Sequence, residues 1–169
     1  ATGEPLRREY RLLTRAGHEL YFSDEATVMR DDAGQPHCLH GVLLDITERK
    51  RAEGRAKTSA ERFRALAALA PAGIFLADAE GNCFWVNERW CELTGISAEE
   101  AAWTGWIRTV HAEDRDRVVL EWYGAAAEGR DFAAEYRLQP TGNQVRWVAA
   151  RGKAVRHSDG GVAGYVGVI

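Results

Sequence analysis

Apolar and polar positions alternate with period two along Phe132, Ala134, Tyr136 and Leu138, set against Ala133, Glu135 and Arg137. That spacing predicts a half-buried strand. Val145, Trp147 and Ala149 alternate with Arg146 and Val148, predicting a second strand that reaches about Arg156, and Val162 to Ile169 predicts a third. Between them lie Pro140-Thr141-Gly142-Asn143 and Ser158-Asp159-Gly160-Gly161, residues that tolerate turn backbone, so the three strands read as an antiparallel meander. Upstream the spacing changes. Ile74 to Ala77 and Cys83 to Val86 form a hairpin around Asp78-Ala79-Glu80-Gly81-Asn82. Asn87 is placed to cap a short helix that Gly95 stops. Ser97-Ala98-Glu99-Glu100 has capping-box spacing and predicts a second short helix ending at Gly105. A longer helix follows from His111-Ala112-Glu113-Asp114 to about Glu128, with Val118, Val119, Trp122 and Ala126 at helical spacing. The order strand, strand, helices, three strands implies an α+β domain: a five-stranded antiparallel sheet with helices on one face.

The meander occurs twice. Glu9-Tyr10-Arg11-Leu12 returns as Glu135-Tyr136-Arg137-Leu138, an offset of 126 that also pairs Arg30 with Arg156, Gly34 with Gly160 and Gly41 with Gly167. Between these anchors the alignment loses and regains one residue, setting Gly17 against Gly142 and Phe22 against Trp147. Residues 1–46 therefore read as the three-stranded second half of a first module, 47–70 as a connector helix, and 71–169 as a second module, a window on a tandem array. The opening at Ala1 without Met agrees with a piece of a longer polypeptide. The connector is rich in Ala, Arg, Lys and Glu, and Ala56, Ala60, Phe63, Ala67 and Ala70 trace an Ala-rich seam suited to a dimeric coiled coil. Gly54 lowers its helix stability by roughly 1 kcal/mol relative to Ala. A lone three-stranded sheet with one apolar face is marginal, so residues 1–46 are expected to pack against another chain or against the connector.

Composition narrows the function classes. A net charge of -3, with 12 basic and 11 acidic residues before Ala70 and 10 and 14 after it, points to neither nucleic acid nor an anionic membrane as partner. Cys38, Cys83 and Cys91 are odd in number and lack CxxC spacing, which argues against a disulfide framework or a structural zinc. The longest apolar run, Ala65 to Ala77, is too short for a membrane span and is interrupted by Pro71 and Gly73. His111, Asp114 and Arg115 lie within one turn, but their types suit a helix start better than acid–base chemistry. No phosphate-binding glycine loop or activated nucleophile is present, and the fragment reads as non-catalytic.

Several blocks in order carry a family resemblance. Asn87 to Gly95, Trp106 with His111-Ala112-Glu113-Asp114-Arg115, Glu135 to Leu138 with Arg146-Trp147, and Asp45-Ile46-Thr47-Glu48-Arg49-Lys50 resemble the PAS family and its PAC motif. Ala112 departs from the proline usual at that position. The resemblance implies a cytoplasmic, bacterial sensory module, homodimeric through the connector helix and the exposed sheet of residues 1–46. It implies an output domain downstream, such as a histidine kinase or a diguanylate cyclase. Asp45, Ile46 and Thr47 would couple the first module to the connector. Flavin photoreceptors of this fold carry a reactive cysteine in an Asn-Cys-Arg motif, and haem-binding relatives a histidine in the long helix; both features are missing here. No cofactor or metal is expected, though haem and flavin are left open. If a pocket takes a ligand, Leu76, Trp90, Trp103, Trp122, Tyr136 and Trp147 are its expected lining. Trp90, Trp122 and Trp147 are expected as core before pocket lining, which favours a relay module over a ligand-filled sensor.

Overall fold

The computed structural model describes residues 6–139 and 145–169. The turn expected at Pro140-Thr141-Gly142-Asn143 lies outside the described residues. The chain divides into two compact units, residues 1–62 and 63–169.

In the first unit, β1 (Leu6–Leu13), β2 (Glu19–Arg30) and β3 (Pro36–Asp45) form an antiparallel sheet in that order. Helix α1 (Thr47–Leu69) leaves directly from β3 and ends in the second unit. The strands are amphipathic, and register places Leu6, Tyr10, Leu12, Phe22, Val28 and Leu43 on one face. Nothing among the described residues covers that face: Leu12 is 48% and Leu39 71% exposed. From residue 51 to residue 66 α1 is solvent-exposed on every side, and of the expected seam only Ala67 is buried. Helix formation there rests on Ala, Arg and Glu propensity and on surface pairs such as Arg49–Glu53.

The second unit is the expected α+β layer. Strands β4 (Ile74–Ala77), β5 (Cys83–Val86), β6 (Phe132–Leu138), β7 (Arg146–Arg156) and β8 (Val162–Val168) form one antiparallel sheet in the order β5-β4-β8-β7-β6. Helices α2 (Glu88–Thr94), α3 (Ala98–Ala101) and α4 (Ala112–Glu128), with a 3₁₀ turn at Gly105–Thr109, complete the unit. The Asn87 side chain accepts from the Trp90 N–H and from the Ile74 N–H, 2.9 and 2.8 Å, and donates to Ala67 and Ala72 carbonyls. One residue thus caps α2 and fastens it to β4 and to the end of α1. Gly95, left-handed at φ 75°, ends α2, and the Ser97–Glu100 capping box opens α3.

Helix α3 stops at Ala101 rather than continuing to Gly105. Ala102 is extended and Trp103 is left-handed at φ 59°, a rare state for a bulky residue. Trp103 is instead bridged to Cys83, donating its N–H to the Cys83 carbonyl and accepting in return. The core centres on Trp122 of α4. Its ring meets Phe75, Phe132 and Tyr165 edge-on at centroid distances of 5.2–5.6 Å, and its indole N–H donates to the Gly81 carbonyl.

The two meanders share one register. Tyr10 faces Phe22 as Tyr136 faces Val148, and Ala26 faces Gly41 as Gly152 faces Gly167. A bulge falls at Met29/Arg30 and again at Val155/Arg156. Arg30 donates to the Gly34 carbonyl at 2.9 Å and Arg156 to the Gly160 carbonyl at 3.0 Å, both glycines being left-handed. The offset of 126 therefore runs without interruption between the strands. Phe22 matches Val148, and Trp147 matches Tyr21; the expected pairing of Phe22 with Trp147 set aromatic against aromatic across opposite faces.

Candidate functional site

Between the helices and the sheet of the second unit lies a cavity of about 40 Å³. Helix α4 presents Val118 and Trp122 to it, α2 presents Trp90, and β6 contributes Phe132, Tyr136 and Leu138 by strict alternation. Gly167 leaves room for the Phe75 ring, which a Cβ there would strike. Tyr136 is buried, and burial drives its phenol pKa well above the usual range. Burial is the sole cause of that shift. Cys83 also lines the cavity, and desolvation pushes its thiol up to about 11, so it stays protonated and unreactive at neutral pH.

Three of the six expected lining residues, Trp90, Trp122 and Tyr136, meet in this cavity. The other three do not. Leu76 alternates with Phe75 and Ala77 and takes the opposite side of β4; Phe75 lines the cavity in its place. Trp103 is 67% exposed because its left-handed backbone breaks the helix that would have carried it inward. Trp147 is 70% exposed, and its expected core role is likewise reversed. Register sets Val148, Ala150 and Gly152 toward the helices, leaving Val145, Trp147 and Ala149 on the other face. The small residues at 150 and 152 hid this phase, although Gly152, against the Trp122 ring, was its one legible sign.

The cavity has room for about two or three water-sized groups, far below the roughly 300–1,000 Å³ of sites for larger ligands. Its lining includes no histidine. These residues as packed do not fit a haem or a flavin. Among the described residues no group of His, Cys, Asp and Glu side chains is arranged to hold a metal ion.

The residues considered for acid–base chemistry are spent on structure. The His111 ring accepts from the Glu113 N–H at the start of α4. Asp114 is clamped by Arg137 of β6, accepting from its backbone N–H at 2.8 Å and from its guanidinium at 2.9 and 2.8 Å. The guanidinium bonds, reinforced by that backbone N–H, hold the Asp114 carboxyl below the ordinary carboxylate range. Arg115 donates to the Val110 carbonyl at 3.0 Å. With the bridge from Val110 to Leu138, these contacts tie α4 to the sheet edge.

The exit from the first meander is equally ordered. Asp45 accepts from the Thr47 N–H at 2.8 Å, and its pKa is lowered first by the Thr47 side chain and then by this backbone bond. The Thr47 hydroxyl accepts from the Tyr21 N–H at 2.9 Å, and the Ile46 N–H donates to the Tyr21 carbonyl at 2.8 Å. Ile46 and Thr47 are buried. One turn on, Lys50 and Arg49 grip the Glu9 carboxylate at 2.7 and 2.8 Å.

A sequence profile described as the PAS fold matches residues 84–169. The chain belongs to the PAS-fold family. The PAS domain is a sensory module rather than a catalytic one. Over 99% of its length the chain is 35% identical to the uncharacterized protein y4lL of Sinorhizobium fredii, of which it covers 20%. It is 30% identical to the two-component sensor PprA of Pseudomonas aeruginosa, covering 88% of this chain and 17% of that protein. The chain thus spans a fifth or less of these relatives. A crystal structure of a PAS domain from Colwellia psychrerythraea aligns with a TM-score of 0.53 at 16% identity, covering 64% of this chain and 92% of that one. Among the described residues no helix is long and apolar enough to cross a membrane.

Proposed function

We propose that this PAS chain is a dimeric signal relay. In this reading residues 1–46 are the second half of one PAS module, 47–70 the connector, and 71–169 a second module in a tandem array. A stimulus shifts the population of sheet geometries, and α1 changes its packing in response. The observation that carries the proposal is the hydrogen-bonded joint at Asp45-Ile46-Thr47, where buried Ile46 and Thr47 fasten the start of α1 to the Tyr21 backbone. The exposed helix beyond it supplies a surface for a second copy, and the output domain of the parent protein receives the signal, as a histidine kinase or diguanylate cyclase would. A cytoplasmic setting fits this role. Native mass spectrometry tests it: two bare chains are expected, and a single bare chain at micromolar concentration sinks the dimer.

One observation favours a second reading, a sensor with an occupied pocket. A small cavity lined by apolar side chains, with buried Tyr136 in its wall, suits a ligand of a few heavy atoms. Extra mass released on denaturation would select this reading over the relay.

A further inference from the structure

The chain contains a single methionine, Met29, and register sets it directly opposite Cys38, with His40 two residues further along β3. Cross-strand partners share a face, with Cβ atoms about 4.5–5.5 Å apart, and so do residues two apart in one strand. A thioether, a thiol and an imidazole therefore stand together on one face of the β2–β3 hairpin. It is the face that carries Glu9, not the apolar face of Leu6, Tyr10 and Leu43. All three residues are exposed, and none of their side chains makes a hydrogen bond or ion pair among the described residues. Cys38 is the exposed one of the three cysteines. At the matching positions of the second meander stand Val155, Gly164 and Val166, so the same register forms without these donors. Neither packing nor pairing uses the trio.

Their chemistry selects an occupant. Thiolate and thioether sulfur are soft donors that favour monovalent copper, and imidazole also suits copper. Hard cations such as magnesium and calcium take oxygen ligands instead. Structural zinc takes four ligands from Cys, His and carboxylates. No carboxylate among the described residues completes such a set here, and nearby Asp31 spends its carboxylate on the Ala33 and Gln35 N–H groups. We propose that Met29, Cys38 and His40 form a three-coordinate site for one cuprous ion. The ion arrives already reduced; Cys38 releases its thiol proton to solvent on binding, and no electron is transferred. Unbranched Met29 supplies the adaptable arm that closes on the ion held by Cys38 and His40. Bridging neighbouring strands, the ion staples β2 to β3. The inference needs neither dimerisation nor the tandem reading.

The test titrates the chain anaerobically with cuprous ion held by a chromophoric chelator, while native mass spectrometry counts the copper bound. One ion per chain is expected, and Cys38→Ser should abolish its uptake. Met29→Leu and His40→Gln should each weaken binding by about tenfold or more, whereas Cys91→Ala should leave it unchanged. The three proposed ligands are on the surface, so their variants fold, and circular dichroism checks that they do. Slower hydrogen exchange in β2 and β3 on loading, with β6–β8 unaffected, is the second expected result. Failure to take copper from the chelator, more than one ion per chain, or binding indifferent to Met29→Leu overturns the proposal.

Discussion

Strands β1–β3 and β6–β8 share a register, a bulge position and a turn hydrogen bond, yet one meander floors a packed core and the other is bare on its apolar face. Tyr136 is 6% exposed and Leu138 1%, whereas the matching Tyr10 and Leu12 are 37% and 48% exposed. The difference separates two causes. Meander geometry follows from alternation and turn chemistry inside about 35 residues, and needs no partner layer to be specified. Burial comes from α4 and from the indole of Trp122, which has no counterpart among the described residues of the first unit. The most direct way to break the comparison is therefore to remove that indole. Trp122→Ala should cost about 3–5 kcal/mol in the second unit, through lost transfer energy and the cavity left behind. Hydrogen exchange should show β6–β8 losing protection while β1–β3 keep theirs; equal losses in both would mean that the units are not independent.

A smaller effect tests how the helical layer is fastened. Asn87→Ala removes the cap of α2 and leaves the Ile74 N–H and the Ala67 carbonyl without their side-chain partner, at a cost of about 2 kcal/mol. Urea denaturation followed by tryptophan fluorescence measures it. An effect below about 0.5 kcal/mol, the range of ordinary surface changes, would show that Asn87 is only a local cap.

The cap at Asn87 was legible because its signal is local: a short polar residue, an apolar run and Gly95 seven positions after Glu88. So were both hairpin strands, the capping box and α4. The cavity was half legible, for a reason that is also physical. Phe75 and Leu76 are adjacent apolar residues, and so are Trp147 and Val148; alternation requires one of each pair to face the core without saying which. Pairing across strands decides, since Gly152 and Gly167 mark where Trp122 and Phe75 approach the sheet. Size misled at Trp147, because a large ring outweighs small Ala150 and Gly152 in any estimate of which side is buried. Trp103 was beyond reach, its left-handed backbone being stabilised by a partner, Cys83, twenty residues away.

The matched turns sharpen the comparison at still lower energy. Gly34 and Gly160 are left-handed at φ 75° and 90°, and a Cβ at either would meet no neighbouring atom. Ala substitution therefore reports backbone strain alone, about 1 kcal/mol at each site. Near-equal losses, read by denaturant titration of each unit, are expected because the Arg30–Gly34 and Arg156–Gly160 bonds match, although Asp31 caps the Ala33 and Gln35 N–H groups in the first turn and Asp159 the Gly161 N–H in the second. A loss confined to Gly160 would mean that the first turn is not held as the second is.

The smallest effect is electrostatic and belongs to one meander alone. Hydrogen bonds from Lys50 and then Arg49 lower the Glu9 carboxyl from 4.5 to about 2. A carboxylate with a depressed folded-state pKa binds fewer protons folded than unfolded, so its stabilising contribution is complete above about 4.5 and is lost as pH falls through about 2. Between those limits the β1–α1 contact should loosen, seen as faster exchange of the α1 amides near Lys50, and added salt should weaken it at neutral pH because the pair is surface-exposed. Glu9→Gln should abolish that pH dependence. The same substitution at Glu135 removes no ion pair among the described residues, so it should leave the exchange of β6 unchanged. A shared response at the two glutamates would mean that Glu135 has a cationic partner too, as Arg117 would become if its guanidinium, which donates to the Glu135 carbonyl at 2.9 Å, also reached the carboxylate, and the asymmetry between the meanders would then lie in the covering layer alone.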